Sequence, residues 1–540
     1  MRVLNQKNKI GNFKFTAVNF RQLFLFSLAS LLLCGLSATG ASGQAQNVYI
    51  TPDGGGSGIC TTGTQAPAWF NNGANWGTGA NQIGPGTIVH LCGTFNAPAG
   101  ADSFLQFQAS GTSGNPITLL WEAGTIVQSP YFSNVHGGID LNGNSWITLD
   151  GGTNGTVQNT ANGTSLANQN PSVLIGGLGS NITIKNLSAI NVYVHNNGDA
   201  NGGGSYALYG RASSNLTVGP NNTFTQCDVC VYYVFDGGES NLVITGNSFS
   251  SANQDIELGP ANTGNKVMTG IRVDHNTATN WVNWDDAGDD YHHNFFHPFT
   301  NTSGSSIVGT LQIYDNTLSG NMGVHATSMV FLENNNSGAG GTMGTWYVFN
   351  NTFNKTNANV PTSSGMVAVM PANGFLLNNT FLDAGGSGDN AYVSFHAYAN
   401  ASGWTLKDNV FQGGAYMVYD EAGNPVADRN VYYNSASNTP WILGTNFIGS
   451  LSAWQAACGC DPGSVTTNPL LNPDFTIGTG SSAANLGANL TSLNITALDS
   501  DRLGVARPAT GAWSSGANQL SSTASTQPPS PPTGLSAIVN

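Results

Sequence analysis

A ten-residue unit, Ser240-Asn241-Leu242-Val243-Ile244-Thr245-Gly246-Asn247-Ser248-Phe249, recurs in close copies along most of the chain, and it constrains the fold more than any other feature. It reads as a short alternating strand, an Asn-containing corner and a second apolar step. The corner Asn falls at Asn186, Asn222, Asn247, Asn276, Asn316, Asn351, Asn379, Asn409 and Asn430, usually with Phe or Leu two positions later. Successive intervals are 36, 25, 29, 40, 35, 28, 30 and 21 residues. A fixed signature on a drifting period belongs to a solenoid whose loops vary in size. A sharp corner between strands needs a residue near the left-handed region, which Asn reaches more cheaply than any residue but Gly. No coil can bury its apolar face alone, so neighbours are expected to pair as parallel strands about 4.8 Å apart around one shared core.

Composition agrees with an all-β chain of many turns. Glycine contributes 70 residues and charged residues only 8%. A length of 540 residues would ordinarily suggest several domains, but a solenoid grows by adding coils, so one elongated domain is expected. The chain opens with Arg2, Lys7, Lys9, Lys14 and Arg21, then the apolar run from Leu23 to Leu36, then small residues from Ala38 to Ala45. That order reads as a secretory signal peptide over residues 1–45, with an apolar run too short for a comfortable membrane span. Without it, nine basic residues face 28 acidic ones, a formal charge of −19. Nucleic acid and anionic membrane surfaces are disfavoured as partners, and a polyanionic substrate would need a local cation. A secreted monomer that meets a polysaccharide is the expected state.

Six cysteines remain in the processed chain: Cys60, Cys92, Cys227, Cys230, Cys458 and Cys460. An even number in an exported chain points to disulfides. Cys60 and Cys92 are paired here because both fall in the opening coil region. Cys227 and Cys230 read as a local disulfide or two buried thiols, with a zinc site as the alternative.

The Asn-corner pattern resembles the right-handed parallel β-helix of the pectate-lyase-like superfamily, over roughly Asn47 to Gln519. The resemblance implies a β-helix over residues 46–450. Residues 451–520 then form an irregular C-terminal cap, opened by a short helix at Leu451 to Ala457, and 521–540 a Ser, Thr and Pro linker running into a truncated start like that of a fibronectin type III module. It also implies that a catalytic groove lies along the third strand of each coil and the loop before it. The same fold carries lyases, hydrolases and adhesins, so activity must come from the site.

The longest interval between corners, Asn276 to Asn316, holds Trp281, Trp284, Asp285, Asp286, Asp289, Asp290, His292, His293 and His297 within 17 positions of a chain poor in charge. Two carboxyls can act as acid and base, or acid and nucleophile, on a glycosidic bond. They can also hold Ca²⁺, which neutralises a uronate before proton abstraction, or they can simply solvate a loop. Asp286, Asp289, Asp290, His292 and His293 are the catalytic candidates. Trp281, Trp284, Tyr232, His297 and His325 are the candidates for contacting sugar. Asp255, Glu257 and Asp285 are the candidates for a metal, since an alternation that buries Ile256 and Leu258 turns Asp255 and Glu257 outward. Polygalacturonase-like hydrolases share an Asp-Asp, matched by Asp285-Asp286, and a Gly-His-Gly, matched loosely at Gly323-Val324-His325, but no Arg-x-Lys follows here. The resulting expectation is a secreted β-helix protein acting on an acidic polysaccharide as a lyase with calcium. A hydrolase or a non-catalytic attachment protein is the alternative.

Overall fold

A computed structural model describes residues 46–56, 59–161, 170–192, 204–261, 264–281, 292–300, 303–323, 327–334, 340–356, 365–383 and 393–520. Residues 1–45, residues 521–540 and the acidic stretch 282–291 lie outside them. Each regular coil contributes three strands. First-face strands such as Leu216–Val218, Gly238–Thr245, Val267–Asp274 and Ser306–Tyr314 pair coil to coil. Second-face strands follow the corner, among them Thr223–Thr225, Ser248–Ser250, Thr277–Thr279 and Thr317–Gly320. Third-face strands form a separate 13-stranded sheet that runs from Leu105–Gln106 to Asn446–Ile448. The first two faces merge into one 25-stranded sheet because Ile147–Asn159 and Ile182–Ile190 continue through the corner. Pairing between these strands is parallel except at the last step, where Trp441–Leu443 meets Asn446–Ile448 antiparallel. The protein is a parallel β-helix.

Register explains why the unit repeats. The aromatic two positions after the corner Asn stacks on its counterpart one coil away, Phe353 on Phe381 at 4.7 Å and Phe381 on Phe411 at 4.8 Å, with rings 7° from parallel in both pairs. Ring spacing therefore equals strand spacing. These rings are fully buried.

The corner itself corrects the sequence reading by one residue. The left-handed position is filled by Asn221, Gly246, His275, Asp315, Asn350, Asn378, Asp408 and Arg429, each immediately before the recurrent Asn. Only at the first copy of the motif does Asn186 itself take that conformation, and there Leu187 occupies the column. The recurrent Asn serves a different need. From Asn222 through Asn247, Asn276, Asn316, Asn351, Asn379 and Asn409 to Asn430, every amide donates from Nδ2 to Oδ1 of the next, over 2.9 to 3.1 Å. Nδ2 also donates to a main-chain carbonyl of the preceding coil, as Asn276 does to Ile244 at 2.9 Å. Backbone N–H groups that a corner would strand in the interior find acceptors in this ladder, as from Asn276 to Oδ1 of Asn316 at 3.0 Å.

Helix Leu451–Cys458 packs on the final coil, its N-terminus capped by Ser450 Oγ accepting from the Ala453 N–H. Trp454 is buried against Trp441 and donates from Nε1 to Asp461. The chain after it turns back along the ladder corner. Asn350 donates to the Ser500 carbonyl, Asn378 to the Ser514 carbonyl, and Asp408 accepts from the Ala488 N–H. Buried Arg507 reaches Asn350 Oδ1 and lies over the Trp513 ring. Cys60 pairs with Cys92, as expected, and Cys227 with Cys230 and Cys458 with Cys460 form two local disulfides.

Candidate functional site

Pairing on the third face lines up one register position along eight coils, partly exposed at Tyr209, Tyr232, Glu257 and Tyr419 and buried at the other four. It carries Tyr209, Tyr232, Glu257, His297, Phe331, Ala368, His396 and Tyr419 in turn. At one end Tyr206, Tyr209 and Tyr232 stack with centroids 4.6 to 5.8 Å apart, all three partly exposed. Burial raises the hydroxyl pKa of Tyr206 and Tyr232, so both stay neutral donors.

Glu257 sits between Tyr232 and His297. Burial pushes its carboxyl up to about 8, with the negative charges of Asp228 and Glu333 adding to the shift. Glu333 behaves oppositely. Its Oε2 lies 2.8 Å from His297 Nε2, and that hydrogen bond holds it below the usual carboxylate range. The imidazole of His297 is fixed on every side: Nδ1 is 3.3 Å from Gln254 Oε1, and the ring stacks on Phe331 at 5.1 Å and on His292 at 5.0 Å. The Phe299 ring, two residues on, packs against Gly259, where a Cβ would meet it at 2.0 Å. Any side chain at 259 would displace that ring. Buried Asp228, bonded by Asn253 Nδ2, is pushed up to about 7 by burial.

The expected site residues fare unequally. Glu257, Tyr232, His292 and His297 meet on this face. Trp281 is fully buried and donates from Nε1 to Asp255 Oδ2 at 3.1 Å, so its ring is a core element and offers sugar no face. Asp255 is buried beside the equally buried Ile256, so strict alternation fails at the start of its strand and the carboxyl does not face outward. Burial raises its pKa well above the usual range. His293 is buried in a left-handed turn with Nδ1 3.0 Å from the Trp281 carbonyl, which turns it away from the surface. Trp284, Asp285, Asp286, Asp289, Asp290 and His325 lie outside the described residues.

Sequence reasoning missed Glu333, Phe331, Tyr209, His396 and Tyr419. One signal was in reach. The chain has five glutamates, Glu122, Glu239, Glu257, Glu333 and Glu421, and the last three all belong to this face. Among the described residues no three His, Cys, Asp or Glu side chains converge as ligands for a metal. No helix among them is long and apolar enough to cross a membrane.

No protein-family model and no curated protein matches the chain. Among solved structures it is similar to the crystal structure of pectate lyase Pel9A, with 13% identity and a TM-score of 0.39, over 87% of this chain and 96% of that one. The likeness is one of fold and carries no residue's role across.

Proposed function

We propose that the third face is the groove of a secreted, carbohydrate-active protein that hydrolyses a glycosidic bond, with Glu257 as general acid and Glu333 as general base. The observation that carries this reading is the opposite surroundings of two carboxyls on one face, Glu257 packed between Tyr232 and His297 and Glu333 held 2.8 Å from His297 Nε2. Burial keeps Glu257 protonated near neutral pH, while the hydrogen bond from His297 keeps Glu333 ionised. Pairs whose surroundings drive their pKa values apart are how one site supplies acid and base together. Protonated Glu257 would donate to the leaving oxygen as the bond breaks. Glu333 would take a proton from the attacking water, and His297 would hold its carboxylate in place. Their strands lie two coils apart, about 10 Å. Glu333 also lies two positions further along its strand than the register partner of Glu257, so the pair is far wider than the ~5 Å of a retaining pair, and a water would have to stand between the second carboxylate and the sugar.

Charge bears on the substrate. Near this rail Arg211 is bound by Asp236 at 2.6 Å, and Lys266 is bound to the same carboxylate. A face of carboxyls, phenols and imidazoles suits a neutral chain, its sugar rings lying on Tyr206, Tyr209 and Tyr232. Three disulfides fit an oxidising, extracellular setting. Elimination on a uronate polymer is the second reading, favoured by the acidic run Asp285 to Asp290, which precedes strand Asn294–Pro298 in sequence and would have to recruit calcium.

One panel decides between them. Xylan, galactan, glucan, pectin and alginate are incubated with wild-type protein and Glu257→Gln, with and without chelator, and reducing ends and unsaturated uronates are followed. Reducing ends without unsaturation, lost in the variant, are expected. Unsaturated product that disappears on chelation would replace hydrolysis with elimination, and retention of cleavage by the variant would remove Glu257 from its role.

A further inference from the structure

The third face carries one side-chain arrangement twice. In the first copy His297, Pro298 and Phe299 lie beside Phe331, Leu332 and Glu333 of the next coil. In the second, His396, Ala397 and Tyr398 lie beside Tyr419, Asp420 and Glu421. The match extends to individual bonds. Histidine Nε2 lies 2.8 Å from a glutamate carboxylate oxygen in both. Each imidazole stacks on its register partner, at 5.1 Å and 16° on Phe331 and at 4.4 Å and 6° on Tyr419. Each glutamate N–H donates to the carbonyl of the intervening residue, Pro298 at 3.0 Å and Ala397 at 2.9 Å. The glutamate side chains are equally exposed, at 27%. In a chain with five glutamates and nine histidines, such agreement is not a by-product of the repeat, because the coils between lack it.

The copies differ in one functional respect. The register partner one coil before His297 is Glu257, whereas the one before His396 is the buried Ala368. Aromatic shelf and carboxylate acceptor are present in the second copy, but the proton donor is missing. Passing from His297 through Phe331 and Ala368 to His396 covers three coils, about 14 Å, and Phe331 and Tyr398 connect the shelves at 6.5 Å.

We propose that the second copy is a non-cleaving subsite for a more distant stretch of the same glycan chain. Sugar rings rest on Tyr398 and Tyr419, and Glu421 accepts hydrogen bonds from their hydroxyls. This rests on the hydrolytic reading for its ligand class and adds to it a preference for chains long enough to span both copies. The backbone of Ala399 and His396 already orient Glu421 for that role.

Affinity electrophoresis of the Glu257→Gln protein through gels containing each polysaccharide of the panel isolates binding from cleavage. Adding Tyr419→Ala or Glu421→Gln is expected to weaken retardation about tenfold, while Tyr419→Phe, which keeps the ring, restores it. In the cleaving protein, the fall in KM with oligosaccharide length should flatten on Tyr419→Ala. Retardation and length dependence equal to the parent's would overturn the subsite, as would a parent that no polysaccharide retards. Binding through Tyr419 in a wild-type protein that releases no product would leave the subsite standing and remove the hydrolytic reading alone.

Discussion

At the corner between the first and second faces, eight successive coils present asparagine from Asn222 to Asn430, and each amide bonds the next. At one register of the third face, eight coils present Tyr209, Tyr232, Glu257, His297, Phe331, Ala368, His396 and Tyr419. Both columns are built on the same 4.8 Å stacking. The corner has to satisfy main-chain groups that are buried in every coil, so one amide solves the same problem each time. On the third face the main chain is satisfied by strand pairing, which places no such demand on the side chains of this register. Uniformity therefore marks the side chains that hold the solenoid together, and variety marks the surface free to do chemistry.

That contrast can be broken most sharply at Glu257. Glu257→Gln is expected to lower turnover by roughly 10²–10⁴-fold while the melting temperature holds or rises, since it removes a carboxyl that burial disfavours. A loss of stability equal to the loss of activity would place Glu257 with the structural column instead.

The converse substitution is Asn316→Leu. Asn316 Oδ1 accepts from both the N–H and Nδ2 of Asn276, and its own Nδ2 bonds Asn351. Each buried partner left unsatisfied costs about 1–3 kcal/mol. Denaturant titration should reveal a matching drop in unfolding free energy, and a surface-like change of a few tenths would show the ladder to be ornamental.

A finer distinction comes from pH. Asp228 is raised to about 7 and Glu257 to about 8, so between the ordinary carboxylate range and these values the native state holds protons that the unfolded chain has lost. Stability should fall as pH climbs through that window and level off above about 8. Asp228→Asn should make the melting temperature less dependent on pH between about 4 and 7. Turnover should fade on the alkaline side near pH 8, as Glu257 ionises. An alkaline limit set far above that would point to another acid.

Fold was legible because the corner column repeats in sequence as it does in space. Its chemistry was only half legible: the left-handed conformation falls on His275 or Asp315, while Asn276 and Asn316 are recruited for hydrogen bonding. The groove was harder to read. Periodicity put Asp255 outward with Glu257, but Asp255 is buried, and no local pattern reveals that Trp281 folds in to bond that carboxyl. Glu333 reaches His297 from 36 residues away, across coils of unequal length, and only the strand register brings the two together. The dense run of acids drew notice by composition, whereas only stacking brings the scattered glutamates onto one face.

Glu257 is a carboxylic acid that burial holds protonated near neutral pH, and carbon-13 NMR can observe it directly. With labelled glutamate, five side-chain carboxyl signals are expected, and Glu257→Gln identifies one of them. The Glu257 signal should titrate with a midpoint near 8 while that of Glu333 titrates below the ordinary range. Two ordinary, superimposable titrations would contradict the account.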